Sequence, residues 1–404
     1  MKVRRVLLLA VGCSLLAGPS AFGGELFVGA SKVELRLPPK VPLAGYSKRR
    51  GRPSTGQRDP LYVRAVAIAH QSVIISCELL IIDDAIREAA TRRLGRQALI
   101  GATHTHSGPG AYGRRYLEKL SMGHYDQRVF DAIVDAIVAA GEEALRHQVP
   151  ARWELAVADV PSASRNRMRE DGPVDPEVIM VRFVGADDRP IASLVTAPAH
   201  PTVLDWQNRE LSGDYPGYFM RAVEAQGAGS VCLFFPGAIA DQAPVTDELD
   251  DRFERARRLG ERLAAAALSA PVRARGNTDA MPSCMEDVPL PPTRLRLGRW
   301  ALPRWLGEAF LDRTATVTVL AVDRLRFLSV PGDLSSEIGR QWKEELRRQG
   351  YEPILLGFTN DYIGYILPAA QYDSGEYEAQ MMFNGPTVAN TLWQAIERCH
   401  ATLP

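Results

Sequence analysis

Residues 98–110 read Ala98-Leu99-Ile100-Gly101-Ala102-Thr103-His104-Thr105-His106-Ser107-Gly108-Pro109-Gly110. The first five are small or aliphatic and predict a short buried strand, and Gly-Pro-Gly then ends regular structure. Upstream, residues 63–69 and 73–77 are further runs rich in β-branched side chains, which favour a pleated surface. Downstream, residues 126–147 carry Val129, Phe130, Ile133, Ile137 and Leu145 at helical spacing. Working outward, strands are predicted at 153–158, 178–183, 231–235, 315–322 and 327–330, and helices at 247–268, 334–348 and 387–401. Such alternation predicts an α/β fold of mixed β-sheets flanked by helices, in a single large domain. Residues 281–303, rich in Pro and Arg, read as an excursion from it.

The chain has 404 residues, 48 Lys+Arg against 48 Asp+Glu, and 46% apolar residues. Those proportions suit a globular core and disfavour wholesale disorder. A zero balance gives no global field for a polyanion, so nucleic acid is not an expected partner.

Residues 1–23 read as a secretory signal. Lys2, Arg4 and Arg5 precede an apolar core, and Ala21-Phe22-Gly23 supplies small residues for cleavage. The remainder, from residue 24, keeps 45 basic against 48 acidic residues, a net charge of −3. The expected product is exported, periplasmic or secreted. Cys13 has two readings, a residue of the signal core or a lipoprotein acylation site. Cys77 and Cys232 fall in apolar runs and read as buried strand residues. Cys284 and Cys399 lie in more polar settings, and export permits a disulfide between them.

Chemistry concentrates where predicted strands end. If the chain stays extended through Thr103–His106, residues two apart point to one side, and His104 and His106 face one cavity. His200, between Pro198 and Pro201, is rigidly held, which suits a metal ligand or equally a turn histidine. Asp333, in Val330-Pro331-Gly332-Asp333, precedes a predicted helix, where an Asp is commonly an N-cap. Asn360-Asp361-Tyr362-Ile363-Gly364-Tyr365 and the later Tyr377 place phenols that can ligate a metal, donate hydrogen bonds or merely pack.

Taken together, ATHTHSGPG at 102–110, AHPT at 199–202, SGDYPG at 212–217, VPGD at 330–333 and NDYIGY at 360–365 resemble the neutral/alkaline ceramidases. Val41–Tyr46 and Asp59–Ala65 are similar to that family as well. The likeness runs from about Val28 to Leu392, and its most specific part is THTHSGPG. It implies the family's catalytic domain, without the C-terminal immunoglobulin-like domain of its members. It implies a Zn2+-dependent amidase that cleaves the N-acyl bond of ceramide or a related lipid amide through a zinc-activated water. Carried over by position, His104, His200, Asp333 and Tyr365 would hold the metal. His106, Arg167 and Tyr377 would be catalytic or substrate-binding groups.

Two departures stand out. Asp333 replaces a family Glu and is one methylene shorter. In the loop Gly237-Ala238-Ile239-Ala240-Asp241-Gln242-Ala243-Pro244, Ala243 stands where the family has a serine. Alanine cannot act as a nucleophile. Asp241 in this loop reads as a group that holds a supporting hydrogen bond or orients the leaving group, or as a turn Asp. Residues 290–311 bring Arg294, Arg296, Arg299, Trp300, Arg304 and Trp305 together, a composition that suits peripheral membrane contact or packing on the domain. Two alternatives to the lipid amidase are a zinc hydrolase for a non-lipid amide or ester, and a non-catalytic binding protein on the same fold.

Overall fold

The computed structural model describes residues 25–404 apart from 116–117, 228–230, 298–299, 304, 306 and 308–310. The proposed signal with Cys13, and Arg299 and Arg304, lie outside the described residues.

Two sheets pack face to face and helices cover their outer faces. The larger sheet runs Val231–Pro236, Pro190–Ala197, Glu177–Gly185, Val149–Asp159, Phe27–Glu34, Tyr62–Ile68, Ser72–Cys77 and Ala98–Ala102, with Val272–Gly276 also paired to Val149–Asp159. The smaller runs Ser283–Pro289, Thr314–Val322, Leu325–Val330 and Glu352–Gly357. The period of two along each strand sorts side chains between layers. In Tyr62–Ile68, Val63, Ala65 and Ala67 face helices Asp84–Leu94 and Gln127–Arg146, while Val66 and Ile68 enter the core between the sheets. In Thr314–Val322, Leu320 and Val322 enter that same core, while Val317 and Val319 face helices Ser336–Arg348 and Val388–Ala401. Strands buried on both faces must be apolar on both, which is why they read as continuous apolar runs. Helix Gln127–Arg146 buries Ile133 and Ile137 completely, each worth roughly 1.5–3 kcal/mol on leaving water.

Three expectations need correction. The 281–303 segment is not wholly an excursion, because Ser283–Pro289 is the edge strand of the smaller sheet, antiparallel to Thr314–Val322. Its exposed Asp287 and half-buried Glu286 hid it, since an edge strand keeps a solvated face. Cys284 in this strand is disulfide-bonded to Cys399 in the last helix.

Asp333 is not the helix cap. It lies in a two-residue strand, Asp333–Leu334, paired in parallel with Tyr365–Ile366. Ser335 caps the helix instead, accepting from the Ile338 N–H, so the Asp333 carboxylate is free for other work.

The chain does not stay extended through the two histidines. The strand ends at Ala102 and His104 takes φ +61°, a left-handed conformation uncommon outside glycine.

Several pairs of strands are parallel: Val231–Pro236 with Pro190–Ala197, Ser72–Cys77 with Ala98–Ala102, and Leu325–Val330 with Glu352–Gly357. Their carboxyl ends lead into the loops that carry His104, His200, Asp241, Asp333 and Tyr365. Open α/β sheets place ligands at such ends. The two sheets meet there: Gly101 bridges to Thr359, and a Cβ at Gly101 would lie 2.4 Å from Thr359 Oγ1. Asn360 completes the join, accepting from the Ile100 N–H on Oδ1 and donating from Nδ2 to Thr318 Oγ1.

Candidate active site

Three buried or nearly buried imidazoles point one nitrogen each at a common centre. His104 Nε2 lies 3.1 Å from His200 Nε2, and His106 Nε2 lies 3.2 Å from both. The other ring nitrogens explain this orientation. His104 Nδ1 is 2.8 Å from the Leu80 carbonyl oxygen. His200 Nδ1 faces the Ile239 carbonyl at 3.4 Å and Asp333 Oδ2 at 3.8 Å. A carbonyl or carboxylate only accepts, so each Nδ1 carries the proton and each Nε2 keeps its lone pair. His106 Nδ1 is buried beside the Gly45 backbone and has no hydrogen-bond partner of normal geometry.

Burial keeps the rings neutral. It lowers the His104 pKa to about 3, and lowers those of His106 and His200 well below the ordinary value, helped by the neighbouring histidines and Arg167. Three neutral imidazoles with converging lone pairs repel each other unless a cation lies between them. Zinc–nitrogen bonds of ~2.0–2.1 Å in a tetrahedron separate the nitrogens by about 3.3 Å, close to the spacing found. The donor set therefore fits a divalent metal, zinc among others. Phe358 stacks on His104 with ring centres 3.7 Å apart and fixes its plane.

Of the expected ligands, the structure brings His104 and His200 together and sets Asp333 beside His200. His106, expected beside the metal as a catalytic group, contributes the third nitrogen of the cluster. Asp333 approaches the Nδ1 side of His200 and is not part of the three-histidine group. Burial pushes its pKa up to about 7 against the pull of Arg167 and Tyr365. Neither of its oxygens has a hydrogen-bond partner of normal geometry. Parallel pairing sets Tyr365 beside it, and the Tyr365 hydroxyl accepts from Arg167 Nη2 at 3.0 Å.

Arg167 also donates to the Ala240 carbonyl at 2.6 Å and pairs with Glu378 at 2.9 Å. Burial alone would lower its pKa, but Tyr365, Asp333 and Glu378 raise it above the ordinary arginine value. Tyr377 meets the Tyr365 ring edge-on at 6.2 Å and is 62% exposed.

Asp241 does not face the centre. Its carboxylate accepts from the Ser336 N–H, the Ser336 hydroxyl and Asn166 Nδ2, each at 2.8 Å. It braces strand Ser164–Asn166, just before Arg167, against the start of helix Ser336–Arg348, so the leaving-group role is not supported. Ala243 pairs with Arg165 in the adjoining short strand.

A cavity of about 150 Å³ opens on His104 and His106, lined largely by apolar side chains such as Leu80, Ile81, Met122, Ile363 and Phe383, with Tyr365 and Tyr377. Arg115 and Glu118 add a polar wall, backed by pairing of Arg115 to Asp84 and Asp312. Sequence reasoning missed these two residues, as well as Phe358 and Glu378. Nothing in their local pattern separates them from surface charges and core aromatics.

Residues 38–242 match the family model for neutral/alkaline non-lysosomal ceramidases, N-terminal. The chain belongs to that family. A neutral ceramidase of Pseudomonas aeruginosa is 28% identical over 190 residues, which is 42% of this chain and 28% of that relative. A neutral ceramidase of Mycobacterium tuberculosis is 29% identical over 168 residues, 36% of this chain and 26% of that one. The matched stretch thus spans under a third of these ceramidases. The crystal structure of the Pseudomonas aeruginosa neutral ceramidase superposes with a TM-score of 0.85 at 20% identity, covering 94% of this chain and 75% of that chain. At that identity it shows a shared ceramidase fold. All three histidines of the cluster lie within the matched segment.

Proposed function

We propose that this protein is a zinc-dependent amidohydrolase that cleaves the N-acyl amide bond of ceramide or a related lipid amide. The observation that carries the reading is the convergence of three Nε2 atoms beside a mostly apolar cavity that opens on His104 and His106. His104, His106 and His200 would hold the ion, with Asp333 and Tyr365 beside them. Zinc bound there would supply Lewis acidity and a source of hydroxide at neutral pH, which fits a chain with Ala243 in place of a serine nucleophile.

The chain's own residues supply binding and orientation. The apolar walls of the cavity accept an acyl or alkyl chain and exclude water. Arg167, held by Ala240, Glu378 and Tyr365, presents a fixed positive charge where an amide oxygen gains negative charge. Its bond to Tyr365 occupies a lone pair of that phenol, leaving the O–H to donate. Tyr377 at the mouth offers a further donor. Asp333, 3.8 Å from His200 Nδ1 and without a hydrogen-bond partner, would act on that ring through its charge.

A second reading keeps the hydrolase and changes the substrate to a non-lipid amide or ester. Arg115 and Glu118 in the cavity wall favour it, because partly buried charges beside the site disfavour a plain alkyl chain. The Cys284–Cys399 disulfide supports export, since disulfides persist in oxidising compartments. Residues 290–311 suit peripheral membrane contact, with Trp300 and Trp305 at 74% and 66% exposure.

The test is metal analysis with a substrate screen on the purified protein. Near-stoichiometric zinc, lost in His104→Ala together with hydrolysis of N-acyl sphingosines, supports the lipid amidase. Turnover of small esters or polar amides alone moves the assignment to the second reading. Metal-free, inactive wild-type protein rejects both.

A further inference from the structure

The turn formed by residues 45–50 wraps His106 and touches it at three points. A Cβ on Gly45 would lie 2.5 Å from His106 Nδ1, and Gly45 has φ +101°, so only glycine allows this approach. The Tyr46 ring packs on the imidazole with centres 4.8 Å apart. Arg49 closes the wrap: its Nη1 donates to the His106 carbonyl at 2.5 Å and to the Ala44 carbonyl at 2.8 Å.

Arg49 has an unusual partner set. It is 4% exposed, and buried arginines ordinarily pair with a carboxylate. Its four hydrogen bonds go to main-chain carbonyls instead. The remaining two reach the loop that follows His200: Nη2 donates to Asp205 at 2.7 Å and Nε to Trp206 at 3.2 Å. The guanidinium also sits 4.8 Å from the centre of the Tyr46 ring. On its other side, the His106 N–H donates to the Pro201 carbonyl at 3.3 Å. The main chain of His106 is therefore tied at both ends to the loop that carries His200.

We propose that Arg49 is a positioning residue for the metal centre, acting through His106. By gathering the carbonyls of Ala44, His106, Asp205 and Trp206, it sets the distance between the His106 and His200 loops. That distance determines whether His106 Nε2 reaches the other two nitrogens. The planar fork is required, because a lysine ammonium cannot address four carbonyls in one plane. The proposal rests on reading the three histidines as a metal site.

The test is metal affinity, measured by competition with a chromophoric chelator for Zn2+ and by the visible spectrum of the Co2+ form. Arg49→Lys should weaken Zn2+ binding at least about tenfold, the scale of outer groups that orient ligands, and alter the Co2+ bands. Arg50→Met, an exposed neighbour, should change neither. In a His106→Ala background, Arg49→Lys should cause no further loss, because the residue it acts through is gone. Unchanged affinity in Arg49→Lys, or an equal loss with and without His106, overturns the proposal. Should Arg49→Lys melt early, the double-variant comparison still decides, because it is read between proteins sharing that change. Wild-type protein that binds neither ion sinks the metal reading itself, whereas binding that Arg49→Lys leaves intact sinks only the role of Arg49.

Discussion

Asp333 Oδ2 lies 3.8 Å from His200 Nδ1, on the side of the ring away from the nitrogen that joins His104 and His106. In the proposed metal site, a carboxylate at this distance would act on the ring through its charge, because the separation is too long for a hydrogen bond.

This arrangement separates ligands from supporting groups by the size of their effects. Asp333→Asn should weaken zinc binding by about 10–100-fold, the range for groups behind a ligand. His200→Ala, which removes a nitrogen of the cluster, should weaken it further, beyond about 100-fold. Chelator competition at pH 7.5 measures both. Equal losses would place Asp333 among the ligands.

Asp361 predicts a pH dependence. Burial, then the neighbouring Asp312, raises its pKa from 3.8 to about 7. Between those values the folded state binds more protons than the unfolded state, so this group's contribution falls as pH rises through the window. Asp361→Asn keeps the acceptor for the Tyr362 N–H and removes the ionisation. Its stability relative to wild type should climb between about pH 4 and 7 and level off above, by up to a few kcal/mol. Denaturant midpoints at four pH values test this, and a difference independent of pH contradicts it.

The Cys284–Cys399 bond links residues 115 apart in sequence. Closing a loop of that length restrains the unfolded chain, so Cys284→Ser should lower stability by about 2–5 kcal/mol. Urea unfolding of both proteins without reductant gives the number. The edge strand Ser283–Pro289 and the last helix should lose hydrogen-exchange protection first.

Trp300 and Trp305 are the most exposed tryptophans among the described residues. If they contact a bilayer, replacing both by Ala should cut sedimentation with phosphatidylcholine vesicles several-fold and leave hydrolysis of a soluble N-acyl amide unchanged. Unaltered vesicle binding rejects the contact.

Strands and helices were largely legible because their periodicity is local. The predicted helix at 126–147 and the helix found, Gln127–Arg146, differ by one residue at each end. Ser283–Pro289 was not legible, since an edge strand carries charges on its open face. The histidine pair was legible as a motif, but the reason it converges was not. Alternation predicted a shared side for His104 and His106, whereas a left-handed His104 produces the convergence.

By itself, the sequence determined the alternating α/β order, the two-sided burial of the strands, and which histidines, tyrosines and carboxylates stand at strand ends. Those properties follow from side-chain chemistry within a few residues. Tertiary structure alone decided that His106 completes the cluster, that Asp333 lies beside His200, that Asp241 braces a helix start and that Arg49 ties two loops together. Each depends on where side chains distant along the chain point once two sheets have packed, and no spacing along the chain encodes that direction.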